Sequence, residues 1–180
     1  MTNRTAKTSP LVLARVAGFL YLLVIPLGIF GALYVPSKLI VSEDAAATAN
    51  HLMASDSLFR LGIVSDMLAP FVLIFVVLLL YKLLKPVDKN MAWLMVIFLL
   101  LGASVATLNK LNQFAALHIL SGADYLNVFT TEQLQALALL FLRLYARGGT
   151  IAAVFWVFGY FPWVIWFSSQ ASCPESWASC

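Results

Sequence analysis

Long apolar runs alternate with short polar breaks along this chain, and the breaks fall at intervals that suit a membrane. A helix crosses a hydrocarbon core of roughly 30 Å with about 20 mostly apolar residues. The first such run covers residues 11–35, "LVLARVAGFLYLLVIPLGIFGALYV". It is longer than the apolar region of a cleaved leader and lacks a clear A-x-A site, so it reads as a span. Arg15 lies near its start, where its stem can snorkel to the interface. Pro26 is expected to kink it. A second run covers residues 61–84 and ends at Pro86, followed by the turn "KPVDKN". The third covers residues 91–118, its helical pattern running on to 120. Residues 132–167 form a last apolar stretch, too long for one untilted crossing. "RGG" at 147–149 is the expected break, because glycine loosens a helix. Residues 132–147 then read as an interfacial or re-entrant helix, and 150–167 as the fourth span. A single tilted, extended helix is the competing reading.

Between the first two spans, the polar segment 36–60 predicts a short helix over its alanine run. Asp44 is suited to cap that helix, and Ser55 or Asp56 the one after it. The expected fold is therefore all-α, a polytopic transmembrane helix bundle with four spans.

Composition agrees. Only 11% of the 180 residues are charged, and the mean hydropathy is +0.93. A soluble domain needs more polar surface than that, so the expected partner is the lipid bilayer. The net charge of +3 comes from few groups and does not suggest nucleic acid. Position matters more than total. Arg4, Lys7 and Arg15 precede or open the first span, and Lys82, Lys85 and Lys89 surround the turn after the second. Lys38 and Arg60 flank the opposite loop, and residues 121–130 hold no lysine or arginine. The positive-inside rule then places the N-terminus in the cytoplasm and the protein in the cell membrane.

Several blocks carry a family resemblance. "ARVAGFLYLL", "LIVSEDAAATANHLMASDSLFRLGIVSDML", "LNKLNQFAALHILSGADYL" and "EQLQALALLFL" occur in order over about residues 14–156. Together they resemble the bacterial membrane family called domain of unknown function 4386. The resemblance implies a small multi-helix integral membrane protein without an established activity, and it carries no catalytic or binding residues to transfer. Residues 1–156 thus read as the family-like membrane domain.

The tail departs from the family pattern. From Phe155 the chain reads "FWVFGYFPWVIWFSSQASCPESWASC". One legal set of codons for it, with a single G inserted after the Trp156 codon, reads "FWGLWLFPLGYLVFKSGFLPRVLGVL", which follows the family throughout. We therefore expect residues 157–180 to be an off-frame tail, and sequencing the gene across that codon tests it. On this reading a lysine and an arginine after the fourth span, and a further span, are missing. Whatever face the helices kept for that span meets lipid, a second copy or another membrane subunit. Both cysteines, Cys173 and Cys180, lie in this tail and form no metal-binding spacing.

Candidate chemistry is sparse. Asp66 lies about two turns into the second span. Asn109, Asn112 and Gln113 recur at i, i+3 and i+4 and so share one helix face, bordered by Lys110. Since the two helices run in opposite directions, all five residues reach a similar depth near the outer end. One reading is a small outward-facing pocket in which Asp66 pairs with Lys110 and the amides hold a polar ligand. The other is interhelical hydrogen bonding that merely holds the bundle together. Arg143 and Arg147, one turn apart, suit contact with a phosphate or carboxylate head group, or snorkel toward water. His51 and His118 have no third ligand near them in sequence. No metal or other cofactor is expected. There is no P-loop, GxSxG, HExxH or dinucleotide fingerprint. The function expected is binding or sensing of a small polar or amphiphilic ligand at the outer face. A transporter or accessory subunit comes second. An intramembrane enzyme comes last, because only Asp66 offers itself as a catalytic group.

Overall fold

A computed structural model describes residues 9–171 of the chain. Among these the structure is helix and turn, with no strand. Four helical rods are long and apolar enough to cross a membrane: Pro10–Leu39, Asp56–Leu84, Lys89–Leu120 and Thr131–Phe161. The fold is an all-α polytopic bundle. Residues 172–180, the far part of the expected off-frame tail, lie outside the described residues.

The first rod begins with α1, Pro10–Gly28. Ser9 caps it by accepting from the Val12 N–H, and Pro10 fills the first turn, where an N–H has no helical partner anyway. Pro26 does not end the rod. Three residues beyond it the backbone widens into a π-helical stretch, Ile29–Tyr34, and resumes as α2, Val35–Leu39. Asp44 caps α3, Ala45–Ala54, through the Ala47 N–H at 2.8 Å. The Thr48 hydroxyl closes the preceding turn, donating to the Asp44 carbonyl and accepting from the Val41 N–H.

Helix α4, Asp56–Leu84, starts without a side-chain cap. This corrects the expectation for Ser55 and Asp56. The Ser55 N–H still closes α3 on the His51 carbonyl, and its backbone lacks the extended geometry of a capping residue. Asp56 pairs instead with Arg60 one turn on, at 2.7 Å. Asp88 caps α5, Lys89–Asn109, by accepting from the Asn90 and Met91 N–H groups. Lys110 interrupts the rod, its N–H bonded to the Thr107 carbonyl three residues back, and α6 continues over Leu111–Leu120.

The last helix, α7, runs unbroken over Thr131–Ala171. It opens on a reciprocal cap: the Thr130 N–H donates to Gln133 Oε1, and the Gln133 N–H to Thr130 Oγ1. The break expected at 147–149 is absent. The interfacial helix 132–147 and the span 150–167 are one rod, as the competing reading had it. Glycine costs a helix about 1 kcal/mol, whereas an amide left unbonded in lipid costs several. The glycines stay helical for that reason, and Gly148 has a packing use described below.

In the bundle α1 packs on α4, α4 on α5, and α7 on α5 and α6, with α3 lying across α7. The most apolar stretch of the first rod is only 11% buried, against 44% for α4. The first rod is therefore an edge and α4 is central. Two apolar clusters fill the interior. One, toward the end carrying the Lys85–Asp88 turn (the lysine end), joins Leu73, Val77, Ala92, Met95, Leu99 and Trp163. The other, toward the opposite or loop end, joins Val35, Leu52, Phe59, Ile63, Ala116 and Leu142.

Candidate functional site

Between the two clusters lies a layer of polar side chains from three rods. Asp66 comes from α4, about 15 Å along that helix from Asp56. Lys110 comes from the interruption between α5 and α6, and Tyr145 from α7. Lys110 Nζ and the Tyr145 hydroxyl both donate to Asp66 Oδ2. Lys110 Nζ also lies 3.4 Å from the Tyr145 hydroxyl and 4.9 Å from the centre of its ring. All three residues are buried, at 5%, 6% and 8% exposure. This is a desolvated ion pair and not a surface one, so its integrity depends on both partners being present.

Local backbone geometry makes the layer possible. The π stretch of the first rod brings Gly31 against α4. A Cβ on Gly31 would lie 2.6 Å from both Asp66 Cβ and the Gly62 carbonyl oxygen. A larger residue there would push the helices apart at the carboxylate. Next to Asp66, the Ser65 hydroxyl donates to the Leu27 carbonyl at 3.0 Å, tying α4 to α1. Lys110 points inward because the rod tightens there. The sequence pattern puts it at the border of the amide face, and the structure puts it at the centre of the layer.

The three amides are placed unequally. Asn109 is buried and donates to the Tyr145 carbonyl at 2.7 Å. Its side chain sits over Gly148, where a Cβ would come within 2.1 Å of Oδ1. Half-buried Asn112 donates to Asn109 Oδ1 at 2.9 Å and to the Asn109 carbonyl. Gln113 is 1% exposed, and its Oε1 has no hydrogen-bond partner. Buried acceptors without partners are uncommon, and this open acceptor sets Gln113 apart from the other amides.

Of the residues expected to form the site, the structure joins Asp66 to Lys110 and Asn109 to Asn112, and buries Gln113 one turn beyond Lys110. It encloses Asp66, Asn109, Lys110 and Gln113, with the cluster around Phe59, Ile63 and Leu142 on their loop-end side. Arg143 and Arg147 take no part. They lie exposed on the outer face of α7, while Tyr145 between them turns inward. Tyr145 itself is the residue that sequence reasoning missed. Its signal was the stripe Ala138, Leu142, Tyr145, Ala152, which keeps helical spacing on one buried face. His51 and His118 are both exposed, and His118 Nε2 bonds the Tyr125 hydroxyl. Among the described residues no three His, Cys, Asp or Glu side chains converge as metal ligands.

No curated protein and no solved structure matches the chain. A family model does, described as "Domain of unknown function (DUF4386)"; its match covers residues 16–178 and so takes in most of the tail from Val157. With the apolar rods and the enclosed polar layer, that match identifies the chain as a membrane-spanning member of the DUF4386 family.

Proposed function

We propose that this protein binds a small polar or amphiphilic ligand at the Asp66–Lys110–Tyr145 layer, reached from the outer face of the cell membrane when the apolar cover at the loop end opens. Its N-terminus and the Lys85–Asp88 turn lie in the cytoplasm, an orientation supported by the lysines at that end. One observation carries the binding reading: Gln113 Oε1, buried one turn beyond Lys110 and without a partner. Interhelical glue is satisfied when every member is paired. An acceptor left open in a closed polar layer suits a ligand's donor. Charged groups inside a span are costly, and they mark function by default.

A second reading, transport, has its own support. Two of the rods that form or abut the layer are irregular: the π stretch Ile29–Tyr34 beside Asp66 and the interruption at Lys110. Transporters commonly build their sites from discontinuous helices, and π stretches often accompany functional sites.

Substituted-cysteine labelling tests both readings. In a background with Cys173 and Cys180 changed to serine, Gln113→Cys, Leu99→Cys and Val128→Cys are exposed in intact cells to a membrane-impermeant maleimide. Val128, 83% exposed in the loop before α7, reports sidedness. Binding from outside predicts labelling of Val128→Cys and Gln113→Cys with Leu99→Cys protected. Labelling of Leu99→Cys as well favours transport. A folded Gln113→Cys protein that resists the reagent contradicts the proposal.

A further inference from the structure

The groove between α4 and α6 at the loop end has a polar rim over an apolar floor. Two adjoining cavities form it, of about 70 and 360 Å³. Both are lined by Arg60, Leu117 and Ser121; Asp56 and Phe59 belong to the first and Phe114 to the second. Below the rim, exposed Leu61 and Val64 continue down α4, and exposed Leu111 and Phe114 down the neighbouring rod. Arg60 is also the last charge on α4 before Lys82, apart from buried Asp66. The interval is about 33 Å of helix, close to the hydrocarbon thickness of roughly 30 Å. Arg60 therefore stands at head-group level.

We propose that this groove holds a zwitterionic phospholipid, with its phosphate on Arg60, its ammonium group on Asp56 and an acyl chain along Leu61, Val64 and Phe114. Charge complementarity carries the choice. Asp56 Oδ2 takes Arg60 Nε at 2.7 Å, and a guanidinium has further donors in its planar fork for a phosphate. The carboxylate keeps acceptor capacity for an ammonium donor. Both side chains are about half exposed, at 48% and 59%. An anionic lipid would set its uncompensated phosphate beside the Asp56 carboxylate, a like-charge contact that disfavours it. Ser121 donates to the His118 carbonyl at 2.7 Å, which leaves its oxygen free to accept from the ammonium group. The site does not depend on the buried layer having any ligand, nor on which side of the membrane the loop end faces.

Native mass spectrometry of the full chain tests this, with equimolar phosphatidylethanolamine and phosphatidylglycerol of identical acyl chains. The wild type is expected to retain phosphatidylethanolamine about tenfold over phosphatidylglycerol. Arg60→Gln should lower retention of phosphatidylethanolamine by about tenfold. Asp56→Asn should keep lipid bound and lose the preference. An exposed pair one turn apart contributes little to folding, so both variants are expected to fold. Equal retention of the two lipids by the wild type overturns the proposal. So does a preference that survives both substitutions, which would leave Asp56 and Arg60 as an ordinary ion pair along a helix.

Discussion

Neutralising one member of the buried pair should cost far more than neutralising both. Asp66→Asn leaves the Lys110 ammonium with no anion, since its other hydrogen-bonding neighbour is the Tyr145 hydroxyl at 3.4 Å. Lys110→Met leaves the Asp66 carboxylate with the Tyr145 hydroxyl alone. Both groups are over nine-tenths buried, so water takes the partner's place only if the layer opens. Removing one partner of such a pair costs about 3–5 kcal/mol. In the double variant Asp66→Asn/Lys110→Met no charge is stranded, and the amide can still accept from Tyr145. Its loss should be smaller than that of either single variant, giving a coupling energy of about 3 kcal/mol or more. Reversible unfolding in mixed micelles titrated with dodecyl sulfate, followed by tryptophan fluorescence, measures all four species. The pair Asp56→Asn and Arg60→Gln serves as the exposed control, for which little or no coupling is expected. Additive single losses, each below about 1 kcal/mol, would refute the desolvated pair and place water in the layer. The double variant has a second use. It retains the bundle without the charges, so an activity absent from it belongs to the chemistry of the layer and not to its stability.

Two further perturbations test the architecture around the pair. Gly31→Ala should cost about 1–3 kcal/mol, because its methyl would meet α4 backbone at 2.6–2.7 Å; Gly149→Ala, facing open space, should be neutral or stabilise by up to about 1 kcal/mol. The same unfolding titration ranks them, and equal effects would contradict the close approach of the first rod to Asp66. Gln113→Leu removes the buried acceptor without a partner and should leave stability unchanged or raise it by about 1–3 kcal/mol. A loss above about 1 kcal/mol would show that Oε1 is satisfied in the membrane and would withdraw the observation on which ligand binding rests.

The spans were legible in the sequence because crossing hydrocarbon is a demand on composition alone. About 20 apolar residues suffice wherever they occur, and the first three rods announce themselves through their mean hydropathy, whereas the fourth, expected over 150–167, begins at Thr131. Asp44 was legible as a cap for a similar reason: a carboxylate just before an alanine run needs only its own first turn. Even the meeting of Asp66 with Lys110 could be read in part, since antiparallel helices of known rise place residues at computable depths. Tertiary structure decided the rest. Position 148 needs glycine because the Asn109 side chain occupies the space a methyl would fill, and no local propensity contains that neighbour. The first rod widens beside Gly31, and the third tightens at Lys110, where another helix comes close. Tyr145 joined the site only once α7 proved continuous and antiparallel to α5, which turned its buried stripe toward Asp66. The enclosure of the layer likewise depends on Phe59, Ile63 and Leu142 meeting from separate helices. Hydropathy and propensity are sums over neighbours in sequence, whereas each of these outcomes depends on one atom of a distant residue a few ångströms away.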